Sequence, residues 1–230
     1  MKKNILLIGG SYGIGLAIIK ELEKDYTIYV ASRTNDELSD LNVTHISFDA
    51  VSDTLDTSQL PDELHGFVFC PGSINLKPFK MLPIEAFQKD MEVNFFSLVK
   101  VMHLIIDKMV ENSSMVFFSS VAVNKGMPFH TSIAASKGAI EGFAKSIAAE
   151  YAPKIRCNVI APSITNTPLA KRLLNNDKKI DLMASRHPLN RVGHVVDIAN
   201  MATFLIKEKS AWMTGQIINI DGGLSTLNVN

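Results

Sequence analysis

Short apolar runs alternate along the whole chain with longer stretches whose apolar residues recur every three or four positions. The runs Asn4–Ile8, Thr27–Ala31, His45–Phe48, Gly66–Cys70, Met115–Phe118, Arg156–Ile160 and Gln216–Ile220 are short, and several are rich in β-branched or aromatic residues, which predicts strands. Gly15–Leu22, Ile84–Met109, Ala134–Tyr151 and Val195–Ile206 carry helical periodicity. Strands that are apolar throughout must be covered on both faces. Strand–helix alternation therefore predicts an α/β, doubly wound single domain over residues 1–230, with a seven-stranded parallel sheet flanked by helices. In such sheets ligands bind beyond the carboxyl ends of the strands, so the residues just after each run are the ones that matter.

The first run ends in Gly9-Gly10-Ser11-Tyr12-Gly13-Ile14-Gly15, and Ile14, Ala17, Ile18 and Leu22 then recur at helical spacing. Gly13 and Gly15 thus fall at a helix start, where unpaired N–H groups and the helix dipole attract a phosphate. Glycines at 9, 13 and 15 fit G-x-x-x-G-x-G, whereas neither Gly9 nor Gly10 begins G-x-G-x-x-G. A tight turn that merely needs positive φ is the competing reading of the glycines alone. Their place at the N-terminus, before a helix, favours a dinucleotide diphosphate held by Gly9, Ser11, Tyr12, Gly13, Ile14 and Gly15.

Composition narrows the function classes. The chain has 230 residues, 47% of them hydrophobic, and 23 basic side chains balance 23 acidic ones. That suits one large domain and implies no nucleic-acid partner, since no basic run is dense enough to track a phosphate backbone. Met1-Lys2-Lys3 followed by apolar residues imitates a leader, but the apolar run is too short for one and reads better as the first strand. No run is long enough to span a bilayer, so no membrane partner and a cytoplasmic location are expected. Cys70 and Cys157 lie in strand-like runs without C-x-x-C spacing and are read as core thiols, with no disulfide and no metal. The polar, proline-bounded stretch Thr167–Pro188 is either a lid over a substrate or an ordinary surface helix pair.

Further motifs follow in an ordered series: Asp49 after the third strand, Gly72 after the fourth, Asn94 in the long helix, Ser119-Ser120 after the fifth strand, and Lys137 in the next helix. They are joined by Ile155-Arg156-Cys157-Asn158-Val159-Ile160-Ala161-Pro162 and by Thr214-Gly215-Gln216-Ile217-Ile218-Asn219-Ile220-Asp221-Gly222-Gly223. Together these residues make the chain resemble a short-chain dehydrogenase/reductase from end to end. The resemblance implies a Rossmann fold and a hydride exchange with a nicotinamide cofactor. It also implies a tyrosine that exchanges a proton with the substrate oxygen, helped by a serine, a lysine and an asparagine. Ser120, Lys137 and Asn94 match the last three. The tyrosine of Tyr-x-x-x-Lys is replaced, because the five residues here are Ile133-Ala134-Ala135-Ser136-Lys137. An aliphatic side chain donates no proton.

A lysine charge beside a phenol normally lowers its pKa from about 10 toward neutrality, and general acid–base catalysis of this kind is worth about 10²–10⁴-fold in rate. His130, one helical turn before Ile133, could stand in as acid if the helix reaches that far. The alternative is a loop histidine bonded to backbone. Lys137 is also expected at the nicotinamide ribose, a role independent of the tyrosine. The family's Asn-Asn-Ala-Gly appears as Phe69-Cys70-Pro71-Gly72, which keeps only Gly72.

Cofactor choice is expected at the end of the second strand, Ala31-Ser32-Arg33. Ser32 stands where an acid would favour NAD, and Arg33 offers a fork suited to a 2′-phosphate, so NADP(H) is preferred and NAD is the alternative. By resemblance, Asp49 and Ala50 meet the adenine, Lys137 the ribose, and Pro162, Thr165 and Thr167 the carboxamide and diphosphate side. Ser163 replaces a glycine of the family pattern.

The expected activity is an NADP(H)-dependent oxidoreductase acting on a small carbonyl or alcohol with altered acid–base machinery. A catalytically weak or inactive dinucleotide-binding sensor or assembly protein is the alternative. Val121, Met127, Phe129 and Leu169 are expected to line an apolar substrate site without an anchor charge. Phe143, Ile147 and Tyr151 are expected to point outward, and the resemblance implies that the helices around Asn94 and Lys137 pair across a subunit interface of a homodimer or homotetramer.

Overall fold

The computed structural model describes residues 2–228; Met1, the first residue of the leader-like start, and residues 229–230 lie outside them. Seven strands form one sheet: β1 (Lys3–Ile8), β2 (Tyr26–Ser32), β3 (Val43–Ser47), β4 (Leu64–Phe69), β5 (Met109–Phe118), β6 (Ile155–Pro162) and β7 (Ile217–Ile220). Their order across the sheet is β3-β2-β1-β4-β5-β6-β7, and every neighbouring pair is parallel. The order reverses between β1 and β4. That switch point opens a crevice at the carboxyl ends of these two strands.

The described residues form six α-helices: α1 (Gly13–Leu22), α2 (Ile84–Met91), α3 (Ser97–Ile105), α4 (Thr131–Tyr151), α5 (Asp177–Ala184) and α6 (Val195–Ile206), of which α1 and α6 cover one face of the sheet and α3 and α4 the other. Along β1 the side chains alternate between two cores. Leu6 and Ile8 pack with Leu98, Val101, Ile140 and Ala144 from α3 and α4. Ile5 and Leu7 pack with Ile18, Ile19, Ala199 and Ala202 from α1 and α6. Period-2 alternation in a strand buried on both sides explains why the run is apolar throughout.

Three expectations are corrected. The helix expected over Ile84–Met109 is interrupted by a π turn at Glu92–Phe96 and ends at Ile105 before a short 3-10 turn. Met109 already pairs with Leu64 as the first residue of β5, so its burial reflects a strand rather than a helical stripe. Cys70 lies past the end of β4, half-buried at a cavity wall, whereas Cys157 is buried inside β6 as expected. Phe143, Ile147 and Tyr151 do not stand free of the fold: each is partly buried against the α3–α4 core. Among the described residues no helix is long and apolar enough to cross a membrane.

Candidate active site

The glycine loop is shaped by close approach. A Cβ on Gly15 would stand 2.5 Å from the Gly9 carbonyl oxygen, and one on Gly10 would lie 2.6 Å from carbons of both Ile19 and Leu7. Gly9 and Gly13 have φ of +78° and +62°, which disfavours a side chain at either position. The N-cap residue of α1, Tyr12, makes no side-chain capping bond, so the first-turn N–H groups face the crevice without a side-chain acceptor. Gly9 abuts Pro71, and Gly13 faces Thr167 and Pro168, so three loops converge at the switch point.

Beside this loop lies a cavity of about 240 Å³. The sequence-predicted residues Ile14, Gly72, Ser120, His130, Lys137, Pro162, Thr165 and Thr167 all line it, and Ile133 forms part of its wall. No tyrosine does among the described lining residues. Val121, Met127 and Leu169 line it as expected; Phe129 is instead exposed with φ of +70°. The expectation of no anchor charge is also corrected, because Arg186 reaches the cavity from the segment after α5. The stretch Thr167–Pro188 therefore covers the cavity with Leu169, Leu173 and Met183.

Lys137 is 7% exposed and its Nζ donates to the Phe118 carbonyl oxygen at 2.9 Å. Burial holds its pKa down to about 8, against the opposing influence of Cys70 and Asp90. Burial likewise pushes the Cys70 thiol up to about 12, with Lys137 acting in the other direction. Gly72 supplies the space for this ammonium: a Cβ there would lie 3.4 Å from Lys137 Nζ and from Asn94 Oδ1.

Asn94 is fully buried in the π turn. Its Nδ2 donates to the Asp90 carbonyl at 2.7 Å and also reaches Ser73 Oγ and Ser136 Oγ, while its Oδ1 accepts from Ser73 N–H. Asp90, 2% exposed, accepts from Ser73 Oγ at 2.7 Å and from Ser132 Oγ at 2.6 Å. A buried carboxylate needs such donors. These three serines and Asp90 were not among the predicted site residues; an aspartate four residues before Asn94, one helical turn away, was the available signal.

Ser120 Oγ accepts from Ala122 N–H at 3.2 Å, and its neighbour Ser119 donates to the buried Glu141 at 2.6 Å. His130 sits at the N-cap of α4 with Nδ1 2.7 Å from the Pro128 carbonyl. Thr165 Oγ1 donates to the Ser163 carbonyl, and Thr167 Oγ1 accepts from Ala170 N–H.

A second group of predicted residues lies at the β2 and β3 ends, apart from the cavity lining. Arg33 is exposed and stands 3.8 Å from Asp49, whose Oδ1 accepts from Val51 N–H. Ala50 is half-buried against the core. Ser32 is buried and its hydroxyl donates to the Thr34 carbonyl, so it contributes the absence of an acid rather than an outward hydroxyl. Thr34 Oγ1 donates to Ser11 Oγ at 3.1 Å and ties this end to the glycine loop.

Comparison with known proteins agrees with this geometry. The family model described as Enoyl-(Acyl carrier protein) reductase matches residues 12–225. A tropinone reductase homolog from Datura stramonium is 31% identical, covering 95% of this chain and 90% of its own. The structure of a short chain dehydrogenase family protein from Francisella tularensis is similar at 27% identity and a TM-score of 0.89, covering 99% of this chain and 100% of that chain. A structure described as ElxO with NADP bound is similar at 25% identity and a TM-score of 0.86, over 99% of this chain and 100% of that one. The chain belongs to the short-chain dehydrogenase/reductase family of oxidoreductases.

Proposed function

We propose that the protein is an NADP(H)-dependent oxidoreductase acting on a small, rather apolar carbonyl or alcohol, with a proton donor other than a phenol. The observation that carries this reading is the juxtaposition of the glycine loop with a cavity lined by Ser120 and Lys137 but walled by Ile133. NADP fits the chain's own residues: open N–H groups at the α1 start suit a diphosphate, and exposed Arg33 suits a 2′-phosphate. The solved relative with NADP bound supports the same choice. When bound, the reduced coenzyme supplies hydride to a carbonyl carbon.

The chain's residues would do the rest. Lys137 would hold the ribose end, Ser120 would donate a hydrogen bond to the substrate oxygen, and Asn94 would brace the loop carrying Gly72. His130 is one protic group on the cavity wall. Titration of NADPH fluorescence together with oxidation of NADPH across a panel of aliphatic aldehydes and ketones tests the proposal. Micromolar binding with turnover supports it.

Ile133 favours a second reading, a dinucleotide-binding protein without turnover. Binding without oxidation, and activity gained by Ile133→Tyr, would select that one; no binding would overturn both. A homodimer or homotetramer through the α3–α4 face belongs to the first reading, supported by the exposed Phe96 and Leu104. Elution at the mass of one chain from a sizing column would overturn that part.

A further inference from the structure

Two imidazoles line the cavity, and one of them is coupled to a second protic side chain. His130 Nδ1 bonds a backbone carbonyl in an exposed position. His187, in the segment after α5, is 4% exposed, and its Nδ1 lies 2.8 Å from the Met183 carbonyl oxygen. A carbonyl only accepts, so Nδ1 carries the hydrogen and the neutral ring presents a lone pair at Nε2. Ser163 Oγ is 2.8 Å from Nε2 and donates to it when the ring is neutral.

This pair is the wall between two cavities. Ser163 and His187 line the first together with Ser120, Ile133 and Lys137. They also line a second, of about 280 Å³, with Arg191, Asp197 and Asp221. Asp221 is close enough to interact electrostatically with His187. A hydroxyl bonded to an imidazole whose other nitrogen is fixed by a third group is the arrangement that moves protons in many unrelated sites.

We propose that Ser163 and His187 form the acid–base pair of this site: Ser163 Oγ exchanges a proton with the substrate oxygen, and His187 Nε2 exchanges one with Ser163. The inference rests on the oxidoreductase reading above. In the reducing direction substrate binding turns the Ser163 hydroxyl from Nε2 to the substrate oxygen, and His187 Nε2 takes up a proton from the second cavity, where Asp221 offsets the imidazolium charge. The C=O π bond then breaks as the carbon gains hydride, the oxygen takes the Ser163 Oγ proton, and Ser163 Oγ regains one from the imidazolium Nε2. The carbonyl is reduced and the nicotinamide oxidised. His187 is left neutral with its hydrogen on Nδ1, the state in which the cycle began. Ser163 is the catalytic residue and His187 the positioning and supplying one.

One readout needs no turnover. Hexanoate places an oxyanion in an apolar cavity; to accept from Ser163 Oγ it must turn that hydroxyl away from His187, which then donates from Nε2 and takes up a proton. Calorimetry of hexanoate binding to the NADP⁺-saturated protein, in phosphate and in Tris, measures that uptake. Charged groups facing the pair are Asp221, Asp197, Arg191 and Arg186, with His130 and Lys137 across the first cavity. The expected result is uptake approaching one proton, lost in Ser163→Ala and in His187→Gln and kept in His130→Ala. No binding, no uptake, or the same uptake in every variant would overturn the pair.

The kinetic readout separates its role from simple packing. Ser163→Ala should lower kcat by about 10²-fold while KM and NADPH affinity stay within about twofold. Ile133→Tyr added to Ser163→Ala should recover at least tenfold of that loss, because a phenol then supplies the proton. An unchanged kcat in Ser163→Ala, or no recovery by Ile133→Tyr, would overturn the assignment. Proton uptake as expected with no turnover in the unmodified protein would instead overturn the oxidoreductase reading and leave proton exchange at the pair standing.

Discussion

Asn94 donates its side-chain amide to the Asp90 carbonyl oxygen one turn back in its own helix, at 2.7 Å. That carbonyl is the acceptor an α-helical Asn94 N–H would use, so the side chain takes the place of a backbone bond and the turn widens to π geometry. The same amide reaches Ser136 of α4. A single residue therefore sets the helix shape and ties it to the helix that carries Lys137.

Replacing Asn94 with alanine leaves Ser73 N–H without its acceptor and the Asp90 carbonyl without its donor, both beside a buried carboxylate. An unmade buried hydrogen bond costs about 1–3 kcal/mol. Asn94→Ala is expected to lower the unfolding free energy by about that amount in urea denaturation, with an unchanged slope. A midpoint equal to that of the unmodified protein would show that the turn is held by packing instead.

Lys137 yields a pH prediction. Its pKa is held down to about 8 by burial. The ammonium form is therefore present below about pH 8 and lost as pH rises through it, whereas an exposed lysine would keep its charge to about 10.4. NADPH affinity, measured by fluorescence from pH 6.5 to 9.5, is expected to fall above about pH 8 in the unmodified protein and to be flat in Lys137→Met. The stability sign is opposite: the unfolded chain binds the extra proton between about pH 8 and 10.4, so this group's contribution to stability rises across that window.

Gly15 reverses the usual helix rule. Alanine is ordinarily favoured over glycine inside a helix by about 1 kcal/mol, yet here the added Cβ would meet the Gly9 backbone oxygen at 2.5 Å. Gly15→Ala is expected to cost about 1–3 kcal/mol through overpacking, read as a lowered melting temperature, and to weaken NADPH binding at least tenfold by moving the loop. A raised melting temperature would contradict the close approach.

Arg33 holds Asp49 only loosely. At 3.8 Å and on the surface, this ion pair is worth no more than about 1 kcal/mol. A 2′-phosphate offering a bidentate partner would replace it readily. Arg33→Ala is expected to reduce NADPH affinity about tenfold with little effect on NADH, and Ser32→Asp to reverse the preference. Equal loss for both coenzymes in Arg33→Ala would place the arginine elsewhere in recognition.

Much of the fold was legible because most strands carry an apolar run bounded by turn residues; all seven strands were found, with ends off by one or two residues except the start of β5, which lies six residues before the predicted Met115 because Glu111, Asn112, Ser113 and Ser114 interrupt its apolar pattern. The helix over 84–109 was overextended because Met102, Ile105, Ile106 and Met109 continue a helical spacing that a strand residue happens to complete. The glycine turn and the ordered series Asn94, Ser120 and Lys137 were legible as local motifs, and the structure places Ser120 and Lys137 on one cavity. The pairings among Ser73, Asp90 and Ser132 were not, since nothing local distinguishes a serine facing a buried carboxylate from one facing water.

The sequence by itself determined the strand–helix alternation, the glycine turn before α1 and an isoleucine four residues before Lys137, because backbone sterics and residue identity act over a few neighbouring positions. Tertiary structure alone decided which protic groups share the cavity. Ser163 follows β6 and His187 follows α5, and they meet at 2.8 Å only after the parallel sheet has brought the β6 loop under the covering segment. Hydrogen bonding at that range depends on distance and direction between chain segments, and neither is encoded in the order of residues within either one.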